Sequence, residues 1–498
     1  MKHKSMKRVL CAALTATMTM GLIAGCGTDD KAGGDAASGD AAAGSVAAEN
    51  GTEGTGASAD TAQDGEVTVT LGIWPEDTLT EDIAMHEGFV ETMKGINPNA
   101  TYVPAYYKYS TDTFMPLVES GNCPTIFETW FTEPQKLIRA DAVRDITAQL
   151  EERGWLDKMN PAVRDLLTDE MGRVYGVPRD GYALGLMLNV ELFEEAGLVD
   201  EDGYPIYPKT WDELAETAAT IKEKTGSAGF CLLAKDNSGG WHFSNIAWAF
   251  GATLCEDNGD GTFTAHLDSD EAIAAMEYVK SLKWDYDVLT ADPTNEDWGT
   301  GFTQLGTGAA AMYIAANDAV NQPTQVNGLP VDKLAMCPIP AGEGGQYSLY
   351  GGTPYMFSKD ATDAEINAAL DYLEVMGKAP VVTDTSVAGL EADAQNRVDN
   401  GIPVIQPFPV WTDAEYVAAQ TKVVNEYANV DANMFQAYFD ATSAEGLHVE
   451  EPGGTQDMYA ELTKVLQAVL TDKDADVAEL MKTANDNYQK LLDETYIK

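Results

Sequence analysis

Val67-Thr68-Val69-Thr70-Leu71-Gly72-Ile73-Trp74-Pro75 is the stretch that decides the fold. Val67, Val69, Leu71 and Ile73 alternate with Thr68, Thr70 and Gly72, which is the two-residue period of a strand, and Trp74-Pro75 ends it. A helix is expected next, because Thr80 to Lys94 carries Ile83, Phe89, Val90 and Met93 before Asn97-Pro98 breaks it. Thr101 to Ala105 reads as a second strand, Thr113 to Glu119 as a short helix and Thr125 to Phe127 as a third strand. This β-α-β-α-β order predicts an α/β fold, a parallel sheet with helices packed on it.

Working towards the C-terminus, three helices have clear starts. Thr210-Trp211-Asp212-Glu213 reads as a capping box ahead of the apolar stripe Leu214, Ala218 and Ile221, with Lys222, Lys224 and Gly226 at the far end. Asp268 with Glu271 is expected to open a second helix, with stripe Ile273, Met276, Val279 and Leu282. Thr362 with Glu365 opens a third. Between them Ala183–Asn189, Gly229–Leu233, Ala309–Ala315, Leu334–Ile339 and Pro354–Ser358 read as strands, and the pattern after Gly401 is mainly helical.

Upstream of Val67 the chain has a different character. Lys2, Lys4, Lys7 and Arg8 precede an apolar run from Val9 to Ala24, the layout of an export signal rather than of a permanent membrane span. Ile23-Ala24-Gly25-Cys26 resembles a bacterial lipobox, which implies a signal peptide over 1–25 and a lipid anchor on Cys26, with the protein held at the outer face of the cell membrane. An ordinary cleaved signal with an incidental Cys26 is the alternative. Residues 27–65 are almost all Gly, Ala, Ser, Thr, Asp and Glu, so they have nothing to bury, and 26–65 reads as a disordered tether. A coil of this length has a root-mean-square reach of roughly 35 Å.

The remainder is longer than one core usually organises, so two lobes are expected. With 31 basic against 80 acidic residues the net charge is −49. That field argues against nucleic acid and polyanions and favours neutral or cationic ligands, although solubility alone would account for most of it. Cys123, Cys231, Cys255 and Cys337 form no CxxC or Cys/His cluster and are expected to be buried thiols, Cys231 with Cys255 being the one pairing to check. The five histidines show no metal-ligand spacing, and neither HExxH, GxSxG nor a phosphate loop is present, so no cofactor or metal is expected and the chain is not itself an ATPase. Asn258-Gly259-Asp260-Gly261 reads as a hairpin turn, since Leu267 stands where a calcium loop would need Glu.

Val174-Tyr175-Gly176-Val177-Pro178, then Leu186-Met187-Leu188-Asn189-Val190-Glu191-Leu192-Phe193-Glu194-Glu195-Ala196-Gly197-Leu198, then Pro208-Lys209-Thr210-Trp211-Asp212-Glu213-Leu214, occur in an order that resembles the extracellular solute-binding proteins of family 1. These are carbohydrate-capturing lipoproteins of ABC importers, of the maltose-binding type. The resemblance implies two α/β lobes of the periplasmic-binding-protein kind, joined by a hinge, with the ligand in the cleft between them. By analogy one lobe takes residues 66–178 and 341–380 and the other 179–340 and 381–498, with crossings near Pro178–Gly181 and Pro338–Gly345. It further implies no catalysis, a carbohydrate ligand, membrane permease partners and a monomer.

A sugar needs aromatic rings for its C–H faces and carboxylates or amides for its hydroxyls, because a buried polar group without a mate costs roughly 1–3 kcal/mol. Trp74, Glu76 and Asp77 leave the first strand at its C-terminal end, where open α/β sheets bind ligands, and Trp130 follows the third strand in the same way. Asp180 and Tyr182 lie at the first crossing; Asp236, Asn237 and Trp241 follow the strand Gly229–Leu233; Asn317 and Asp318 follow the strand through Tyr313. Trp298, beside Glu296 and Asp297, the loop Tyr350–Tyr355 and Trp411 complete the candidates. Core packing is the competing use of every tryptophan, and Trp248 and Trp284 are assigned to it. The rival functions are capture of a peptide or polyamine on the same fold and a secreted glycoside hydrolase.

Overall fold

The computed structural model describes residues 67–111, 113–442 and 446–495; the proposed signal 1–25, anchor Cys26 and tether 26–65 lie outside the described residues. Strands β1 (Val67–Gly72), β2 (Ala100–Pro104) and β3 (Ile126–Glu128) form the expected parallel ladder, in which Leu71 is opposite both Pro104 and Ile126. The Thr70 amide donates to Thr125 Oγ1 at 3.0 Å, locking β1 to the start of β3.

β4 (Gly176–Asn189) belongs to two neighbourhoods. Its first half pairs antiparallel with β10 (Ser348–Phe357), and its second half with β8 (Ala310–Ala316) and β9 (Leu334–Cys337). The path β2-β1-β3-β10-β4-β8-β5 runs through both lobes, where β5 is Ala228–Cys231, and β11 (Leu447–Val449) joins β10. β6 (Cys255–Asp257) and β7 (Phe263–Ala265) make the anticipated hairpin.

Successive residues of a strand face opposite ways, and β4 sorts its side chains accordingly. Leu184, Leu186 and Leu188 enter one buried cluster under the helices of the second lobe, while Ala183 and Met187 enter another on the reverse face. A separate cluster around Val69, Leu71, Phe127, Val177 and Tyr355 is the core of the first lobe.

Helix starts follow the capping chemistry read from sequence, with one shift. Thr210 and Thr362 accept from the amides three residues on; Glu365 returns the bond to the Thr362 amide and completes a capping box, whereas Glu213 accepts from the Lys209 amide, so the box expected at Thr210 is only half made. The helix expected to begin at Asp268 is capped instead by Ser269, whose hydroxyl accepts from the Ala272 amide, and it runs Asp270–Trp284. The second crossing is β10 itself, about ten residues after the expected Pro338–Gly345. Residues 381–427, expected with the second lobe, pack in part on the first: Val410, Trp411 and Tyr416 belong to its core, and the partly buried Leu390 packs against it. All four described cysteines are free, Cys231, Cys255 and Cys337 buried and Cys123 half-buried. Among the described residues no helix is long and apolar enough to cross a membrane.

Candidate functional site

The two lobes are joined where Asp180–Ala183 of β4 lies beside Tyr350–Thr353 of β10. Asp180 pairs with Thr353 and Pro178 with Pro354, so Arg179 is the extra residue of a bulge, a device that re-aims a side chain. Its guanidinium reaches Asp180 Oδ2 at 2.6 Å through Nε, Glu128 Oε2 at 2.7 Å through Nη1 and Thr353 Oγ1 at 3.4 Å through Nη2. One side chain thus staples β3, β4 and β10. The nearby Asp318 carboxyl is pushed up to about 7, by burial first and then by the Asp180 charge, with Arg179 opposing. At the next step of β4 the Tyr182 ring lies over Gly351, where a Cβ would come within 2.4 Å of it; glycine is what permits the contact.

Aromatic and carboxyl groups gather in front of this junction from both lobes. Trp130, 39% exposed at the end of β3, stands edge-on to Tyr109 at 5.3 Å, and Tyr109 Oη donates to Glu133 Oε2 at 2.8 Å. From the second lobe Trp241, in the first turn of helix Ser238–Ala249, stands edge-on to Tyr182 with centroids 6.4 Å apart. The link between the lobes is Gln456. Asn237 Nδ2 donates to its Oε1 at 2.9 Å, and its Nε2 donates to Thr132 Oγ1 at 3.4 Å. Glu450 accepts from Tyr459 Oη at 2.9 Å and is pushed up to about 8 by burial, with a further push from Glu133. At neutral pH it therefore holds its proton for much of the time, and the protonated carboxyl is able to donate as well as accept.

The other sequence candidates fall elsewhere. Trp74 is half-buried against His86 at 5.4 Å, and Glu76 and Asp77 are exposed beside it. Asp236 is exposed in a left-handed backbone conformation. Trp298 is 41% exposed and packs edge-on to Phe302 at 4.9 Å, on a helix capped by Asp297, which also pairs with Lys235 at 2.7 Å. Asn317, Tyr355 and Trp411 are buried. Asn317 Oδ1 accepts from the Ala183 amide at 3.3 Å, Tyr355 is in the first core, and Trp411 Nε1 donates to the Lys378 carbonyl at 3.1 Å. Asp180, Asn317, Asp318 and Trp411 do meet, around a cavity of about 130 Å³ that also touches Gly181 and Phe408. Gly181 looks towards Phe408 and Val410, whereas its neighbour Tyr182 looks towards Trp241, so cavity and aromatic group are on opposite faces of the crossing. Sequence reasoning passed over Tyr109, Glu133, Arg179, Glu450 and Gln456. The pair Glu450-Glu451 just before Pro452-Gly453-Gly454 and a helix was the available signal for one of them.

The chain is similar over 222 residues, at 30% identity, to a protein of Brucella abortus (strain 2308) named for binding without a stated ligand; the match covers 43% of this chain and 48% of that one. The sn-glycerol-3-phosphate-binding periplasmic protein UgpB of Yersinia pestis is 26% identical over 166 residues, 30% of this chain and 36% of the relative. The chain thus spans about half the length, or less, of the curated relatives it matches. Its fold is similar to an ABC transporter solute-binding protein of Thermotoga lettingae bound with α-D-tagatose (TM-score 0.67, 18% identity, 86% of this chain and 100% of that chain). It is similar also to UgpB of Mycobacterium tuberculosis with glycerophosphocholine (TM-score 0.64, 15% identity, 86% and 98%). The pattern of one family matches residues 77–382, more than half of the sequence, and by that match this chain belongs to the bacterial extracellular solute-binding proteins.

Proposed function

We propose that this protein captures an uncharged sugar or oligosaccharide between its lobes and delivers it, unaltered, to the permease of an ABC importer. The observation that carries the reading is the convergence of Trp130 with Tyr109 and of Trp241 with Tyr182, from opposite lobes, on a junction bridged by Gln456. Indole and phenol rings offer flat apolar faces, while Glu133, Glu450 and Gln456 offer the donors and acceptors that hydroxyls need. Arg179 is already shared between two carboxylates, and Lys235 is paired with Asp297. With those cations engaged, an anionic solute such as a glycerophosphate finds little to neutralise it, which favours a neutral guest. A polyamine remains the second reading, because Glu133 and Glu450 are close enough to repel each other and a cationic guest would relieve that repulsion by drawing the proton from Glu450.

On this reading Cys26 carries the lipid anchor, the body works as a monomer outside the cell membrane, and no bond of the solute is broken. Calorimetric titration against a panel of mono- and oligosaccharides tests it. One or more should bind reversibly with no release of reducing ends, and Trp130→Ala and Trp241→Ala should each weaken binding by at least tenfold while leaving the circular dichroism spectrum unchanged. Unaltered affinity in both variants would remove the aromatic group from the site. Binding of spermidine but of no saccharide would select the second reading, and catalytic release of reducing sugar would dismiss both.

A further inference from the structure

The cavity of about 130 Å³ on the far face of the crossing is lined by polar side chains whose bonding capacity is unused. Asp180 Oδ1 is buried without a hydrogen-bond partner, its other oxygen being taken by Arg179. The Asp318 carboxyl bonds only to its own backbone. Among the described residues, the side chains of Lys378, Gln406 and Gln420 make no hydrogen bond or ion pair, although all three are half-buried. Polar groups inside native proteins are nearly always bonded, so a ring of idle ones around a void calls for an occupant.

The charges around this void are sorted by end. Asp180, Arg179 and Arg397 are the charges that act on Asp318, whereas Lys378 acts on Asp393 and His86, so the idle carboxyls and the idle ammonium lie apart. Arg397, on helix Asp384–Asp399, gives only its Nε to Asp393, at 3.0 Å. Water serves amides well, but it does little for a carboxylate and an ammonium at two ends of one small space. The volume is far below the roughly 300–1,000 Å³ of clefts that hold drug-sized ligands, which restricts the occupant to a few heavy atoms. Zero net charge also lets such a guest approach a chain of net charge −49 without repulsion.

We propose that this cavity is a second binding site, specific for a small zwitterion such as an α-amino acid. Its ammonium group pairs with Asp318 and Asp180 Oδ1, its carboxylate with Lys378 and Arg397, and the amides of Gln406 and Gln420 supply further bonds. Arg397, Gln406 and Gln420 lie beyond residue 382, where the family pattern ends, so the site belongs to this chain's own C-terminal part. It is separate from the aromatic cleft and does not depend on what the cleft holds.

Calorimetric titration of the full chain with glycine, alanine, serine, proline and glycine betaine tests the site, with urea and glycerol as uncharged probes of similar size. At least one amino acid should bind saturably, and betaine, which has no N–H to give, should bind more weakly. Asp318→Asn and Lys378→Met should each raise the Kd at least tenfold with an unchanged circular dichroism spectrum. Ala394→Leu, which grows into the cavity from a position 4% exposed, should abolish binding. Trp130→Ala and Trp241→Ala should leave the amino-acid Kd within twofold. Binding by none of the zwitterions, or by urea and glycerol equally well, would make the cavity a water-filled void and overturn the proposal. Unchanged affinity in both Asp318→Asn and Lys378→Met would overturn it too, and loss of binding in the tryptophan variants would move the amino acid to the cleft. If no saccharide binds the parent, the cleft reading fails while these titrations still decide the second site.

Discussion

Replacing Arg179 by Met keeps the length of the side chain and removes all of its bonds. What remains is Glu128 and Asp180, two carboxylates that shared one guanidinium at 2.7 and 2.6 Å, plus a lost 3.4 Å contact to Thr353. The arginine, Glu128 and Asp180 side chains keep 28%, 30% and 21% of their exposure, so the site is neither dry nor fully hydrated. Breaking a buried pair costs about 3–5 kcal/mol, and an exposed one contributes at most about 1 kcal/mol. Arg179→Met should therefore lower unfolding free energy by about 2–3 kcal/mol, read from urea titration followed by tryptophan fluorescence. Adding Glu128→Gln removes one of the stranded charges and should return about half of the loss, whereas Glu128→Gln in the parent should itself destabilise. A loss below about 0.5 kcal/mol for Arg179→Met, or strictly additive effects in the double variant, would refute the staple.

Asp318 and Glu450 hold their protons in the folded chain at pH values where the unfolded chain has released them, so folding takes up protons and stability falls as pH rises towards about 7 and about 8 respectively. Asp318→Asn and Glu450→Gln should each flatten the stability profile between pH 5 and 8, measured as thermal midpoint against pH. The Glu451 carboxyl, 5% exposed, accepts from Trp248 Nε1 at 2.8 Å and from the amides of Leu254 and Cys255 at 3.2 and 3.3 Å. Glu451→Ala strands these donors and should cost at least about 3 kcal/mol in the same urea assay. Helix Ser238–Ala249 meets helix Thr455–Thr471 so closely that a Cβ on Gly240 would come within 2.4 Å of Tyr459 backbone. Gly240→Ala should destabilise by about 1–3 kcal/mol, despite the better helix propensity of alanine, and weaken solute binding by shifting Trp241.

Local rules carried the reading of the sequence as far as local rules reach. Alternation over Val67–Ile73 and the caps at Thr210 and Thr362 were legible because each depends on a few neighbouring residues. The early part of β4 was not, because Pro178, Arg179, Asp180 and Gly181 argue against a strand; the bulge opposite Thr353 and Pro354 absorbs that irregularity, and the ion pairs offset the polar burial. Trp130 and Trp411 are indistinguishable as residue types, yet one is 39% exposed and the other 2%, which tertiary packing alone decides. Thr132 and Gln456 are separated by 324 positions, so their meeting had no trace in either neighbourhood.

The shared strand has a consequence for when folding can begin. β10 lies between β3 and β4 in the sheet although it follows β4 by more than a hundred residues in the chain. Until Ser348–Phe357 has been synthesised, β3 and the first half of β4 have open edges and the first core lacks Tyr355, Met356 and Phe357. Pairing over such a distance is slow to form. A nascent chain shorter than that has no means of closing the first lobe, so completion of this half waits until synthesis has passed Phe357.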